Sequence, residues 1–266
     1  MAEPLFVAKN RGKWYDRKRK KVQRRCFVII DIHSHILPGI DDGAKNMQET
    51  IDMIHMAVEE GIDAVIATPH YEVGAGFEAM ERYQEVYEEV LQYITDHQIP
   101  LQLYQGNEIY YSGSIPELLQ QGRIRTMNES RYILVEFAPG TEYTSMKRAF
   151  SMLLYAGYWP ILAHAERYMT LRKLNRVEEI VRMGVCIQLN TSAITGRDGL
   201  QIKRYCHKLL KNGLVHVIGT DAHGSRHRRP EMKECVIYLD KKIGITYRRQ
   251  LCEMNPTRIL KGEKIG

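Results

Sequence analysis

From Phe27 onward, short apolar and β-branched runs alternate with segments whose apolar residues recur every three or four positions. The runs predict seven strands, at Phe27–Ile32, Ala64–Ala67, Leu101–Tyr104, Tyr132–Val135, Pro160–Ala163, Val185–Leu189 and Val215–Ile218. Between the first two, Asn46 and Glu49 have capping-box spacing, and Met47, Ile51, Ile54 and Val58 make an apolar stripe. Gly61 is placed to end that helix. The segment Glu78 to His97 repeats the stripe at Met80, Tyr83, Tyr87, Val90, Leu91 and Ile94. Further helices are expected over Thr144–Ala156, Leu174–Met183, Leu200–Asn212 and Glu231–Lys242.

Strand, helix, strand, repeated without a long structureless gap, predicts a parallel sheet with helical crossovers, open or closed into a barrel. No internal repeat or low-complexity linker interrupts the pattern. With 266 residues and 44% hydrophobic content, one α/β domain over residues 27–266 suffices to bury a core.

Composition changes this picture in three places. The net charge of +6 divides unevenly, because residues 1–25 hold ten Lys/Arg against two acids, leaving 28 against 30 in the remainder. Residues 1–26 therefore read as a basic, disordered tail, too uniformly charged to fold, and neither specific nucleic-acid binding nor another function is assigned to it. Five cysteines, Cys26, Cys186, Cys206, Cys235 and Cys252, form no C-x-x-C pair, so reduced thiols are expected and a zinc ribbon is not. No stretch approaches the roughly 18 apolar residues of a membrane helix, and no secretory signal core is present, so membrane insertion is not expected and the location is read as cytoplasmic.

Candidate chemistry lies at the C-terminal ends of the predicted strands. His33 and His35 follow the first, His70 the second, Glu108 the third, Glu136 the fourth, His164 the fifth, and Asp221 and His223 the last; Asp42 follows closely on the first group. In a parallel barrel those ends share one mouth, and residues two apart on an extended segment point the same way. Such a cluster of imidazoles and carboxylates repels itself unless cations occupy it, and with no thiolate it suits Mn, Fe or Zn. Nine ligand-type residues are enough for two or three divalent ions. Alternation turns Asp31 the same way as His33, making it a candidate support behind the ligands, while Asp41 reads as a turn residue. His55, His97, His207, His216 and His227 lack this placement and are not expected to be ligands.

The segments "DIHSHILPGIDDG", "TPHY", "GNEIYY", "LVEF", "AHAERY" and "TDAH", with a closing "NPTRIL", resemble the PHP (polymerase and histidinol phosphatase) superfamily, and within it the bacterial manganese-dependent tyrosine-protein phosphatases of the CpsB/YwqE type. The similarity runs from about Ile30 to the end of the chain. It implies a distorted seven-stranded (β/α)7 TIM-like barrel, the PHP fold, with two or three metal ions, most often Mn. Its ligands fall on His33, His35, Asp42, His70, Glu108, Glu136, His164, Asp221 and His223. Its phosphate-contacting arginines fall on Arg167 and in the loop "GSRHRRP", where spacing favours Arg228 and leaves Arg226 and Arg229 open.

The function implied is hydrolysis of phosphotyrosine by a metal-activated hydroxide, with a bacterial tyrosine autokinase controlling capsule or exopolysaccharide synthesis as the protein substrate. Another phosphoesterase activity on the same metals, such as histidinol phosphatase or nuclease, is the alternative, since shared ligands do not fix a substrate. Cys252 to Arg258, "CEMNPTR", also matches the C-x5-R spacing of cysteine-dependent tyrosine phosphatases. That loop has no Gly, Pro256 lacks an N–H, and Glu253 sits beside the would-be thiolate, so the match reads as coincidence.

Overall fold

The computed structural model describes residues 28–74 and 77–265. The basic tail and Cys26 lie outside the described residues.

Nine strands are present among them: β1 (Ile30–Ser34), β2 (Ala64–Ala67), β3 (His70–Tyr71), β4 (Gln102–Gln105), β5 (Glu108–Tyr110), β6 (Tyr132–Glu136), β7 (Trp159–Leu162), β8 (Cys186–Asn190) and β9 (Val217–Gly219). Every pairing is parallel, in the orders β1-β2-β4 and β3-β5-β6-β7-β8-β9. The expected count of seven differs because two extended segments are each broken in the middle. Thr68-Pro69 separates β2 from β3, and Gly106-Asn107 separates β4 from β5. Proline has no N–H to give a ladder, yet Pro69 accepts from the Glu108 N–H at 3.1 Å and from the Asn107 side chain at 3.1 Å. The polar groups at the break are thus satisfied while the second pieces, β3 and β5, begin at His70 and Glu108.

The far ends of the strand array also meet. A parallel bridge joins Ser34 to Ala222. His35 N–H donates to Ala222 at 2.8 Å, and Asp221 N–H donates to His33 at 2.8 Å. Asp31, fully buried beneath this junction, accepts from the Thr220 N–H and hydroxyl and from the His33 N–H. Burial outweighs these hydrogen bonds and pushes its carboxyl up to about 6. Asp31 therefore acts on the backbone of the two histidine-bearing ends.

Helices occur where the periodicity predicts them, at Met47–Glu59, Phe77–Asp96, Tyr143–Tyr155, Leu174–Arg182, Leu200–Lys211 and Lys233–Lys242. The Asn46 side chain caps the first by accepting from the Glu49 N–H. Its buried face is Thr50, Met53, Ile54 and Ala57; of the predicted stripe, Ile54 is buried and Met47 and Val58 pack against the core partly buried. Thr50 can be interior because its hydroxyl donates to Ile36 O at 2.8 Å, leaving no polar group unpaired.

Candidate metal centre

The nine residues picked from strand ends converge. Three groups of ligand atoms each lie within 4.8 Å of one another: His35, Asp42, His70 and His223; His33, His35, Glu108 and Asp221; His70, Glu108 and Glu136. His164 completes the set, with Nε2 at 2.8 Å from Glu108 and 3.3 Å from Glu136. His33, His35, Glu108, His164 and Asp221 are essentially buried, whereas the Asp42 side chain is 66% exposed and rims the mouth.

The contacts among these atoms are not those of a self-sufficient hydrogen-bond network. His33 Nε2 and His35 Nε2 stand 3.2 Å apart, and both face Glu108 Oε2 and Asp221 Oδ1 at 3.1 to 3.5 Å. Glu108 Oε2, Asp221 Oδ1, His164 Nδ1 and His223 Nε2 are buried without a hydrogen-bond partner. Lone pairs aimed at lone pairs in a dry interior cost several kcal/mol unless positive charge lies between them. The donor set of imidazole and carboxylate, with no sulfur, fits first-row divalent cations.

Protonation states carry the same message. Burial opposes ionisation of Glu108, yet neighbouring histidines hold it well below the usual carboxylate range. Burial would lower His35 and His164, but the carboxylates around them raise these to about 10 and about 9. His223 goes the other way, to about 4, through burial and the adjacent His35. The carboxylates thus favour positive charge among these imidazoles, and the same field that raises His35 and His164 would favour a bound cation.

Local backbone conformation serves this convergence. His164, Asp221 and Arg228 all have positive φ, at 31°, 54° and 47°, a conformation costing about 1 kcal/mol or more for residues with a Cβ. Gly219 lies so close to β1 that a Cβ there would sit 2.6 Å from the His33 Cβ. At Gly43 a Cβ would fall 2.2 Å from His35 O. The "IDDG" turn can therefore fold back onto the H-x-H strand only with glycine at that position.

Arg167 and Arg228 both reach Asp221 Oδ2, at 2.7 and 2.6 Å, with side chains about two-fifths exposed. They stand between the buried carboxylates and a cleft of about 550 Å³ that Arg226 and Arg229 also line. Asp41, read from sequence as a turn residue, caps Gly43 N–H and also accepts from His35 Nδ1 at 2.6 Å and His70 N–H at 2.9 Å. Burial would raise its carboxyl, but His35 draws it down to about 2.

Sequence reasoning also passed over Gln188 and Asn190 on β8. Gln188 Oε1 faces His33 Nδ1, and Asn190 donates to Asp221 Oδ2. The signal was present in "CIQLN", two polar residues two apart on a buried strand, the same spacing as the H-x-H.

The other histidines belong to none of the three ligand groups, although His227 lines the same cleft as Arg226 and Arg229. His97 stacks on Tyr93, His207 meets Tyr238, His216 accepts from the Ile187 N–H, and His55 and His227 are exposed. Cys252 is fully buried within the helical segments Gln250–Met254 and Asn255–Leu260, and burial pushes its thiol up to about 12. A C-x5-R signature wound into helix offers no phosphate-binding loop.

Comparison with known proteins agrees with this geometry. The chain is 30% identical over 238 residues to the tyrosine-protein phosphatase YwqE of Bacillus subtilis, covering 89% of this chain and 93% of the relative. It is 31% identical over 243 residues to the tyrosine-protein phosphatase CpsB of Streptococcus pneumoniae, covering 89% and 100%. A crystal structure from work on those two proteins, described as metal-dependent tyrosine phosphatases, superposes with a TM-score of 0.81 at 29% identity over 90% of this chain and 96% of that one. A dihydropyrimidinase from Brevibacillus agri, at 10% identity and a TM-score of 0.57 over 89% of this chain and 71% of its own, shares the fold alone. The model of the capsular polysaccharide synthesis family CpsB/CapC matches residues 29–261, and the chain belongs to that family.

Proposed function

We propose that residues 27–266 form one catalytic domain, a distorted seven-stave barrel, that hydrolyses phosphotyrosine in proteins with the help of bound divalent cations. The observation that carries the reading is the meeting of His33, His35, Glu108 and Asp221 ligand atoms around one point, with Glu108 Oε2 and Asp221 Oδ1 buried and without a hydrogen-bond partner. The names of the relatives, tyrosine-protein phosphatases in a capsule-synthesis family, supply the substrate class. The physiological partner in this reading is a bacterial tyrosine autokinase that governs capsule or exopolysaccharide assembly. Buried thiols and the absence, among the described residues, of a helix long and apolar enough to cross a membrane are in keeping with action in the cytoplasm.

His33, His35, Asp42, His70, Glu108, Glu136, His164, Asp221 and His223 would hold two or three ions, with Mn the first choice and Fe or Zn next. Such ions, when bound, acidify water and neutralise charge on a phosphoryl group. The chain's own contribution is to place them and to complete the charge. Arg167 and Arg228, now paired with Asp221 Oδ2, are within reach of any dianion at the mouth and can turn toward its oxygens. Partly exposed His70 and exposed Asp42 mark the side from which a side chain presented by another protein would enter. A tyrosine phenolate, with pKa about 10, leaves readily, so no strong general acid is required.

The test is turnover of a phosphotyrosine peptide, with histidinol phosphate as the competing substrate, each with EDTA, with added Mn and after iodoacetamide. The proposal expects peptide hydrolysis that EDTA abolishes, Mn restores and alkylation leaves alone. Preference for histidinol phosphate would move the chain to another phosphoesterase activity.

A further inference from the structure

β8 ends in two amide side chains where β1 and the segment after β9 supply histidines and a carboxylate. Gln188 and Asn190 are buried, at 0% and 1% exposure. Their amides form a directed chain whose sense is fixed at one end by a backbone group. His164 N–H can only donate, and it does so to Gln188 Oε1 at 2.6 Å. That oxygen is therefore the acceptor, and the His33 Nδ1 that faces it at 3.3 Å must carry the proton. Gln188 Nε2 in turn donates to Asn190 Oδ1 at 2.8 Å. This leaves Asn190 Nδ2 to donate to Asp221 Oδ2, also at 2.8 Å.

Two consequences follow at the candidate centre. With its proton on Nδ1, His33 presents a bare Nε2 lone pair toward His35, Glu108 and Asp221. With Oδ2 engaged by Asn190, Asp221 turns Oδ1, which is buried and unpartnered, toward the same point. There is little slack, since a Cβ on Gly219 would come within 2.6 Å of the His33 Cβ and 3.3 Å of Gln188 Nε2. Buried amides bonded through both oxygen and nitrogen rigidify their surroundings, and partners behind a ligand set both its tautomer and its aim.

We infer that Gln188 and Asn190 are positioning residues: the amide pair on the otherwise ligand-free strand β8 locks His33 as its Nδ1–H tautomer and points Asp221 Oδ1 into the cluster. The inference rests on the proposal that divalent ions bind there, and the experiment separates the two. Full-length chain loaded with diamagnetic Zn²⁺ and labelled with ¹⁵N-histidine is read by long-range ¹H–¹⁵N correlation. His33 is expected to show a protonated Nδ1 shielded from rapid exchange. A proton on Nε2, with Nδ1 free or bound to metal, would overturn the inference with no variant required.

Calorimetric titration of the chelator-stripped chain with Mn²⁺ supplies the second readout. Failure of the unsubstituted protein to bind Mn²⁺ or Zn²⁺ would count against the metal proposal itself. Given binding, Gln188→Leu, which removes both the acceptor for His33 and the donor to Asn190, is expected to weaken Mn²⁺ affinity by about 10- to 100-fold. Equal affinities in Gln188→Leu and the unsubstituted chain, both folded by circular dichroism, would contradict the positioning role.

Discussion

The carboxylate of Asp41 and the imidazole of His35, six residues apart, are joined by a 2.6 Å hydrogen bond from Nδ1. His35 is thereby held with Nε2 toward Glu108 and Asp221, and the same Asp41 oxygen also accepts from the backbone of His70. Asp41→Ala should leave the chain folded yet weaken Mn²⁺ binding by about 10- to 100-fold, the usual effect of removing a carboxylate behind a histidine ligand. Calorimetric titration against Mn²⁺ checks this, and an unchanged affinity would show that His35 needs no support.

Arg167 and Arg228 share one oxygen of Asp221. Removing either guanidinium should lower kcat/KM on a phosphotyrosine peptide by about 100-fold while metal content stays at the unsubstituted level. Because the two converge on a single atom, the effects of Arg167→Ala and Arg228→Ala should not add in the double variant. Full additivity would mean that they act at separate places.

Cys252 provides the contrast. Its burial and its thiol near 12 make it inert to iodoacetamide in the folded chain. Cys252→Ser is expected to cost about 1 to 2 kcal/mol of stability, from placing a hydroxyl in an apolar site, and none of the activity per folded molecule. Loss of turnover in a folded Cys252→Ser protein would revive a thiolate mechanism.

The strand-end residues were legible because period-two spacing in H-x-H and D-x-H survives in any extended backbone, whatever the sheet does around it. The breaks at Thr68-Pro69 and Gly106-Asn107 were not, since they depend on Pro69 receiving hydrogen bonds from a strand about 40 residues away. Thr50 on the buried face of the helix Met47–Glu59 was not legible, because it is interior only by virtue of its bond to Ile36 O. Asp41 hid in the same manner. Its turn role is visible in "DDG", while its grip on His35 requires the turn to fold back over β1.

A pH signature should come from a histidine remote from the cluster. Burial lowers His216 to about 4, and its neutral Nδ1 accepts from the Ile187 N–H at 3.1 Å. The unfolded chain protonates this residue near 6.5, so between about 6.5 and 4 the unfolded state binds more protons than the native one. Its contribution is complete above about pH 6.5 and is lost as pH falls toward 4, by as much as about 3 kcal/mol. His216→Asn keeps an acceptor for Ile187 but cannot titrate. Urea midpoints measured in EDTA should therefore fall less steeply from pH 7 to 4.5 in the variant, and parallel slopes would contradict the assignment.

Anomalous diffraction at the Mn edge, from crystals of protein shown to hydrolyse a phosphotyrosine peptide in an EDTA-sensitive manner, addresses the main claim head-on. Two or three peaks enclosed by His33, His35, Asp42, His70, Glu108, Glu136, His164, Asp221 and His223 are the predicted result. Active crystals with no transition-metal scatterer among those side chains would contradict it.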